Sequence, residues 1–362
     1  MTVYPIALVT QTFPPKKGGM EAVMASIADH LSCAGFEVSV YADKRCDSVG
    51  DYKFWSLEGL KWTRARRKRS LISKTFDQSG IFICDSWKSV AAIPSQATHI
   101  IVLAHGQEYL EAEKKYTRIR NALERAESIV CSSTYTQKLI DNNFSEFTSK
   151  TQVIYPCYMV ESPKNLKQEA NESSHLFSIV SICRIEKRKG LRNSAIALSR
   201  LLSTGYKFKW SIAGTGPDLE HLKALIRSLE MDNAVSILGR VNDYEKHSIL
   251  CSADLFLMPS YQEGNSLEGF GISYTEAASY GIPAIAGIAG GAPEAVLDNQ
   301  TGWCADGASV DSVLSAIKDS MDNPEKRLQF GKRASMRFNN VLAGSKAFEK
   351  LLETIKSIKE IK

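Results

Sequence analysis

The sequence predicts an α/β protein built from two parallel-sheet halves, and three observations carry that prediction. Short apolar runs alternate with longer amphipathic stretches, the pattern of buried parallel strands with helices on both faces. The alternation stops once, near the middle, and then restarts. The 362 residues divide into about two domains of ~150 residues.

In chain order, strands are expected over 6–10, 37–42, 81–85, 100–105 and 128–132, with helices over 21–34 and 111–126. The polar, aperiodic stretch VESPKNLKQEANESS (160–174) is the linker candidate. Strands then follow over 177–183, 207–213, 235–238, 255–258 and 284–288. Helices are expected over 191–203, 219–230, 244–251 and 272–280. A final amphipathic stretch over 347–361 can pack back on either half. The carboxyl ends of the strands in each half are where ligand loops gather, and a cleft between the halves is the expected ligand site.

Composition narrows the class. Hydrophobic residues make up 44% and charged residues 23%, which excludes a disordered or collagenous chain. A net charge of +5 permits an anionic substrate or membrane surface but does not point to nucleic acid. No run of about 18 apolar residues is present to cross a membrane. The opening MTVYPIALVT has no basic region before its apolar run and reads as a first strand, which points to a cytoplasmic protein. The eight cysteines form no CxxC pair and sit mostly in apolar contexts, as small hydrophobes in a reducing compartment do. The six histidines are scattered, so no protein-built metal site is expected.

Five clusters look chemical. The first, SYQEGNSLEGFGISYTEA (260–277), follows a strand and runs acid, glycine loop, helix, acid: Glu268, Gly269, Phe270, Gly271, Ile272 and Glu276. Glycines admit close backbone approach, and a helix start attracts phosphate. Paired carboxylates suit sugar hydroxyls; they also suit a glycosidase, which has no need of phosphate-binding machinery. The second, RIEKRKG (184–190), gathers Arg184, Lys187, Arg188 and Lys189 at a strand end, enough to neutralise a diphosphate. The third, PPKKGGME (14–21), sets Gly18 and Gly19 before a helix; it lacks the GxGxxG spacing of a dinucleotide fingerprint. The fourth, AHGQEYL (104–110), puts His105 at a strand end, either as a satisfied structural histidine or as a contact to substrate. The fifth, KWTRARRKRS (61–70), holds six basic residues between Lys61 and Arg69 beside Trp62. It is either a solvated helix face or a dock for anionic lipid, with RNA a third option that no RNA-binding signature supports.

Together GGME, HGQE, RIEKRKG, IAGTGP (212–217), LGRV (238–241) and the Glu268…Glu276 pair resemble the retaining glycosyltransferases of family 4. The resemblance spans nearly the whole chain and is densest over 179–301. It implies the GT-B fold: a Rossmann-like acceptor domain over 1–165, with 345–362 able to pack back on it, facing a Rossmann-like nucleotide-sugar domain over 172–344. It implies that Glu276 binds the ribose and Glu268 the donor sugar. The 269–272 amides would hold sugar and diphosphate, and Arg184 and Lys189 the leaving diphosphate. Gly214 and Gly216 would shape the nucleotide pocket near Arg240, Gly18 and Gly19 the phosphate and acceptor side, and His105 the anomeric region.

EGFGISYTEA, GGAPEAV and HGQE look most like the mannosyltransferase branch. The resemblance therefore implies hexosyl transfer from GDP-mannose, without metal, to a glycan or lipid-linked acceptor of cell-surface polysaccharide. A peripheral position on the inner membrane face would suit residues 61–69. A UDP-sugar donor, a nucleotide-sugar epimerase and a catalytically silent binding protein remain the alternatives; acceptor, linkage and oligomeric state stay open.

Overall fold

A computed structural model describes residues 4–16, 18–44, 50–57, 63–160 and 176–359. Residues 161–174 of the expected linker, and Lys61 and Trp62 of the basic segment, lie outside the described residues. The chain forms two compact units, Met1–Met159 with Ala343–Lys362, and Val160–Leu342.

The first unit contains seven strands: β1 (Ile6–Val9), β2 (Val38–Ala42), β3 (Lys53–Ser56), β4 (Ile81–Cys84), β5 (Ile100–Ala104), β6 (Ser128–Cys131) and β7 (Thr151–Val153). They form one sheet in the order β3-β2-β1-β4-β5-β6-β7, with every pairing parallel. Strands β1, β2, β4, β5 and β6 are buried along their whole lengths, so they read as unbroken apolar runs. The sequence reading passed over β3 and β7. Both are short edge strands with half-exposed faces, and KFWS and TQV carry little apolar signal.

Helices α1 (Gly19–Cys33), α2 (Arg64–Thr75), α3 (Ala112–Arg125) and α4 (Thr134–Asn143) cover this sheet. The hydroxyl of Ser133 caps α4 by accepting from the Thr136 amide. The last helix, numbered α12 below (Gly344–Lys359), returns to this unit. It buries Leu351 and Ile355, sets Phe348 4.9 Å from the His30 ring and bonds Thr354 to Gln152 at 3.2 Å.

The described residues of the second unit form six strands: β8 (Phe177–Ile182), β9 (Phe208–Ala213), β10 (Val235–Gly239), β11 (Leu255–Met258), β12 (Ala284–Gly287) and β13 (Gly302–Ala305). Their order is β10-β9-β8-β11-β12-β13, all parallel. The order runs outward in both directions from β8, so β8 and β11 flank the switch point where an open parallel sheet binds ligands. Helices α5 (Leu191–Ser203), α6 (Leu219–Ser228), α7 (Asp243–Ser252), α8 (Ile272–Ser279), α9 (Ala292–Ala295), α10 (Val310–Asp322) and α11 (Pro324–Arg337) complete it. Trp210 is fully buried at its centre among Ile179, Leu257 and Ile285, and its indole N–H donates to Ser181 Oγ at 2.9 Å. Strand β13 and helices α4, α9, α10 and α11 lie outside the elements expected from the sequence.

The described cysteines are all unpaired thiols, with Cys84, Cys131 and Cys157 buried. Burial pushes the thiols of Cys131 and Cys157 up to about 12, which keeps them protonated and inert. None of the described helices is long and apolar enough to cross a membrane.

Beyond the apolar core, one carboxylate ties the centre of the first sheet together. Asp85, fully buried after β4, accepts from the Gln11 amide at 2.7 Å, Thr10 Oγ1 at 2.9 Å and Ser89 Oγ. Ser86 Oγ adds a fourth donor at 3.3 Å, so replacing Asp85 removes the shared acceptor of the whole group. Asp85→Ala should therefore cost about 2–4 kcal/mol in urea unfolding, and Asp85→Asn, which keeps one acceptor oxygen, distinctly less. Equal midpoints for the two variants and wild type would contradict this account.

Candidate functional site

The carboxyl edge of the second sheet carries a charged cluster at the switch point. The loop after β8, residues 183–190, supplies Arg188 and Lys189; the loop after β11, residues 259–271, supplies Glu268. Backbone contact locks the loops together, since the Tyr261 amide donates to the Arg188 carbonyl at 2.8 Å. Arg188 Nη1 lies 3.0 Å from Glu268 Oε2, and Lys189 Nζ bonds the same oxygen. Arg188 Nε also donates to Glu186 Oε2 at 3.0 Å. Burial alone would raise the Glu268 carboxyl; the Lys189 and Arg188 charges outweigh it and hold the group below its usual range.

The sequence reading paired Arg184 with Lys189. The structure joins Lys189 and Arg188 to Glu268, while the Arg184 side chain is 70% exposed and pairs with Glu186 at 3.0 Å. Every residue in a run of cations one to five positions apart is a candidate; only the path of the loop after β8 selects which two face Glu268.

Helix α8 begins directly after this loop. Gly271 has φ +97, and a Cβ there would meet the Tyr274 ring at 2.4 Å, so only glycine lets the chain turn into the helix here. Phe270 is buried and Gly269 and Ile272 half-buried, which puts backbone rather than side chains at the loop surface. Glu276, one turn into α8, is buried and its Oε1 accepts from Lys246 Nζ of α7 at 2.7 Å. One turn further, Tyr280 OH bonds His247 Nδ1 at 2.8 Å. The sequence reading did not find Lys246, and one lysine in a polar helix carries no signal that could have singled it out.

Gly214, after β9, has φ +140, and a Cβ there would come within 1.9 Å of the Cys183 carbonyl oxygen. A Cβ on Gly216 would come within 2.1 Å of the Ile185 carbonyl oxygen. These two glycines let the loop after β9 lie against the loop that holds Arg188 and Lys189. Arg240 is exposed at the end of β10, on the outermost strand of this side of the sheet.

The first unit carries the remaining predicted residues. His105 follows β5, and its Nε2 lies 3.0 Å from the Asp85 carbonyl oxygen. A carbonyl only accepts, so Nε2 carries the proton and a neutral ring presents Nδ1 as its acceptor. Its backbone amide is held by Glu108 Oε1 at 2.9 Å. The sequence reading expected an open anion site at Gly18 and Gly19. The structure instead lays the protein's own Glu21 carboxylate over this helix start. Glu21 accepts from Thr12 Oγ1, pairs with Lys16 at 2.9 Å, and fills the space that a Cβ on Gly18 would need. Burial raises this carboxyl, but bonds from Thr12, Lys16 and its own backbone amide bring it below its ordinary value.

The basic segment is also redirected. Lys68 is 3% exposed and donates to Asp43 Oδ1 at 2.6 Å and the Thr10 carbonyl at 2.7 Å. Arg64 pairs with Asp43 Oδ2 at 2.7 Å. These two cations of α2 thus serve the carboxyl edge of the first sheet, while Arg66 and Arg69 are exposed. Among the described residues, no three His, Cys, Asp or Glu groups come together as a metal cluster.

The ionisation of Glu268 gives a test. Its folded value lies below the unfolded one, so its contribution is complete above the ordinary carboxyl range and is lost as pH falls through the folded value. Glu268→Gln should lower stability at pH 7 by about 3 kcal/mol, because the buried Lys189 loses its ion partner and Arg188 keeps only Glu186, and should abolish that acid-side loss. Urea unfolding at pH 7 and pH 4 checks this; an equal deficit at both would refute the assigned ionisation.

Residues 163–337 match the family model described as glycosyl transferases group 1. The chain is 35% identical over 155 residues to the GDP-mannose-dependent alpha-(1-6)-phosphatidylinositol monomannoside mannosyltransferase of Mycolicibacterium smegmatis, a match covering 42% of this chain and 41% of that relative. To the Mycobacterium tuberculosis protein of the same name it is 25% identical over 356 residues, covering 90% of this chain and 91% of that one. The fold is that of a Rickettsia africae glycosyltransferase, with a TM-score of 0.78 at 18% identity over the full length of both chains. Anabaena HepE, solved with UDP and glucose, gives a TM-score of 0.77 at 16% identity over 98% of this chain and all of that one. The second unit thus carries the match to the group 1 glycosyl transferase model, and the two parallel-sheet units together share the fold of these solved glycosyltransferases.

Proposed function

We propose that this glycosyltransferase moves mannose from GDP-mannose to a glycan or lipid-linked acceptor, with retention of configuration and without a metal. The observation that carries the reading is the pair Arg188 and Lys189, held against Glu268 beside the start of α8. Breaking the anomeric bond builds oxocarbenium character on the sugar and negative charge on the departing diphosphate. Two preorganised cations and the backbone amides of 269–272 are suited to take up that charge. Glu268, already engaged by both cations, is suited to hold a sugar hydroxyl rather than to attack carbon. Same-face attack leaves the acceptor proton within reach of the leaving phosphate oxygen. In this reading Glu276 meets the ribose, Gly214 and Gly216 shape the nucleotide pocket near Arg240, and the exposed Arg184 joins Lys189 at the leaving diphosphate. His105, Gly18 and Gly19 belong to the acceptor side.

The names of the two mycobacterial relatives favour GDP-mannose, and those of colanic acid and amylovoran glycosyltransferases favour a cell-surface polysaccharide. The exposed Arg66 and Arg69 of α2 support peripheral attachment to an anionic inner membrane face, which flotation with anionic liposomes, weakened by salt, would test.

GDP should raise the melting temperature in the presence of EDTA, and UDP and NAD should not. A shift with UDP alone replaces the donor, and a shift with NAD alone defeats the reading of the glycine loops. Lys189→Ala should retain the wild-type circular dichroism spectrum and lower kcat by about a hundredfold or more. Full turnover in that variant, or release of an isomerised nucleotide sugar with no transfer, would sink the transfer mechanism.

A further inference from the structure

We propose that Lys246 is a positioning residue that sets the selectivity of this site for ribonucleotides over deoxyribonucleotides. The inference rests on the reading of Glu276 as the ribose partner, and it names the residue that makes that partner discriminating.

Glu276 is 6% exposed. A carboxylate at that depth is costly unless a cation and hydrogen bonds accompany it. Lys246 supplies the cation across the α7–α8 interface, with Nζ 2.7 Å from Glu276 Oε1. Its second carboxylate, Asp243 Oδ1, is 3.6 Å away on a side chain that is 95% exposed, so water screens that pair. The Glu276 pair is the shorter and drier of the two.

Two consequences follow for ligand recognition. Holding Oε1 stops the carboxylate from turning about its last side-chain bond, so its acceptor directions are fixed relative to the start of α8. An ionised carboxylate accepts and never donates, so it rewards a ribose hydroxyl and offers nothing to the hydrogen that replaces it. A site built to meet a hydroxyl discriminates through the polar group left without its partner. Removing Lys246 takes away the charged hold on Oε1, and the discrimination weakens with it.

The geometry separates this role from simple anchoring of α7. Adjacent residues of α7 make two ties to α8 and its C-terminal cap: Lys246 to Glu276, and His247 to Tyr280 at 2.8 Å. If Lys246 only fastened the helix, cutting either tie would have the same effect on the ligand.

The test compares GDP and UDP with their 2′-deoxy and 3′-deoxy forms by titration calorimetry on the full chain. Wild type should prefer one ribonucleotide over a deoxy form by about tenfold or more, the contribution of a hydrogen bond to a charged group. Lys246→Met, which keeps the apolar stem, should bring that ratio to within about twofold. Lys246→Arg should restore most of it, and His247→Ala should leave it at the wild-type value. If Lys246→Met keeps the full preference while Glu276→Gln loses it, the role of Lys246 is refuted and Glu276 stands as the ribose partner. If Glu276→Gln keeps the preference, the ribose reading itself fails, and the proposal with it. A parallel loss in Lys246→Met and His247→Ala would reduce Lys246 to a structural anchor.

Discussion

The joining of Arg188 and Lys189 to Glu268 is the interaction on which the chemistry of the second unit depends. Two cations cannot remain on neighbouring residues at the edge of a buried sheet unless an anion compensates them. The protein supplies that anion from the loop after β11, and the loop from β8 closes against it. Strands β8 and β11 are sheet neighbours because the strand order reverses there. The same reversal that organises the fold therefore brings together two chain segments some eighty residues apart. The glycines after β9 extend the arrangement, since their missing side chains let a third loop lie against the cationic one.

The first unit solves a comparable problem with different residues. Its carboxyl edge holds two acids, Asp43 and Asp85, and each is compensated in its own way. Asp85 is surrounded by hydroxyls and an amide, Asp43 by Lys68 and Arg64. The basic face of α2 is thus divided. Part of it turns inward to complete the sheet edge, and part is left for solvent or an anionic surface. At the start of α1 the protein places its own Glu21 where an anion would otherwise sit. The favourable site at a helix start is used in both units, by a side chain in one and, on the proposed reading, by a ligand in the other.

Polar ties also position α7. The α7 sequence shows no clean apolar stripe, yet Lys246 and His247 attach it to α8 at Glu276 and Tyr280. Helices held by apolar packing tolerate small slides. A helix held by an ion pair and a hydrogen bond is fixed in register, which is what recognition of a small polar ligand requires.

The sequence by itself determined the central strands, because residues buried on both faces must be apolar throughout, as in IALV, IFIC and LFLM. It also determined the switch-point loops, because only glycine suits a backbone such as that at Gly271, and cations gathered at a strand end mark a place for negative charge. The edge strands β3 and β7 were not legible, since half-exposed residues carry no such demand. Nor was the meeting of Arg188 with Glu268, of Glu21 with the start of α1, or of Lys246 with Glu276. Each depends on which long, flexible side chain reaches which buried carboxylate, or on where a carboxylate itself folds back. Only the tertiary path of the loops decides that, because charge type is written in the sequence but the direction of a side chain is not.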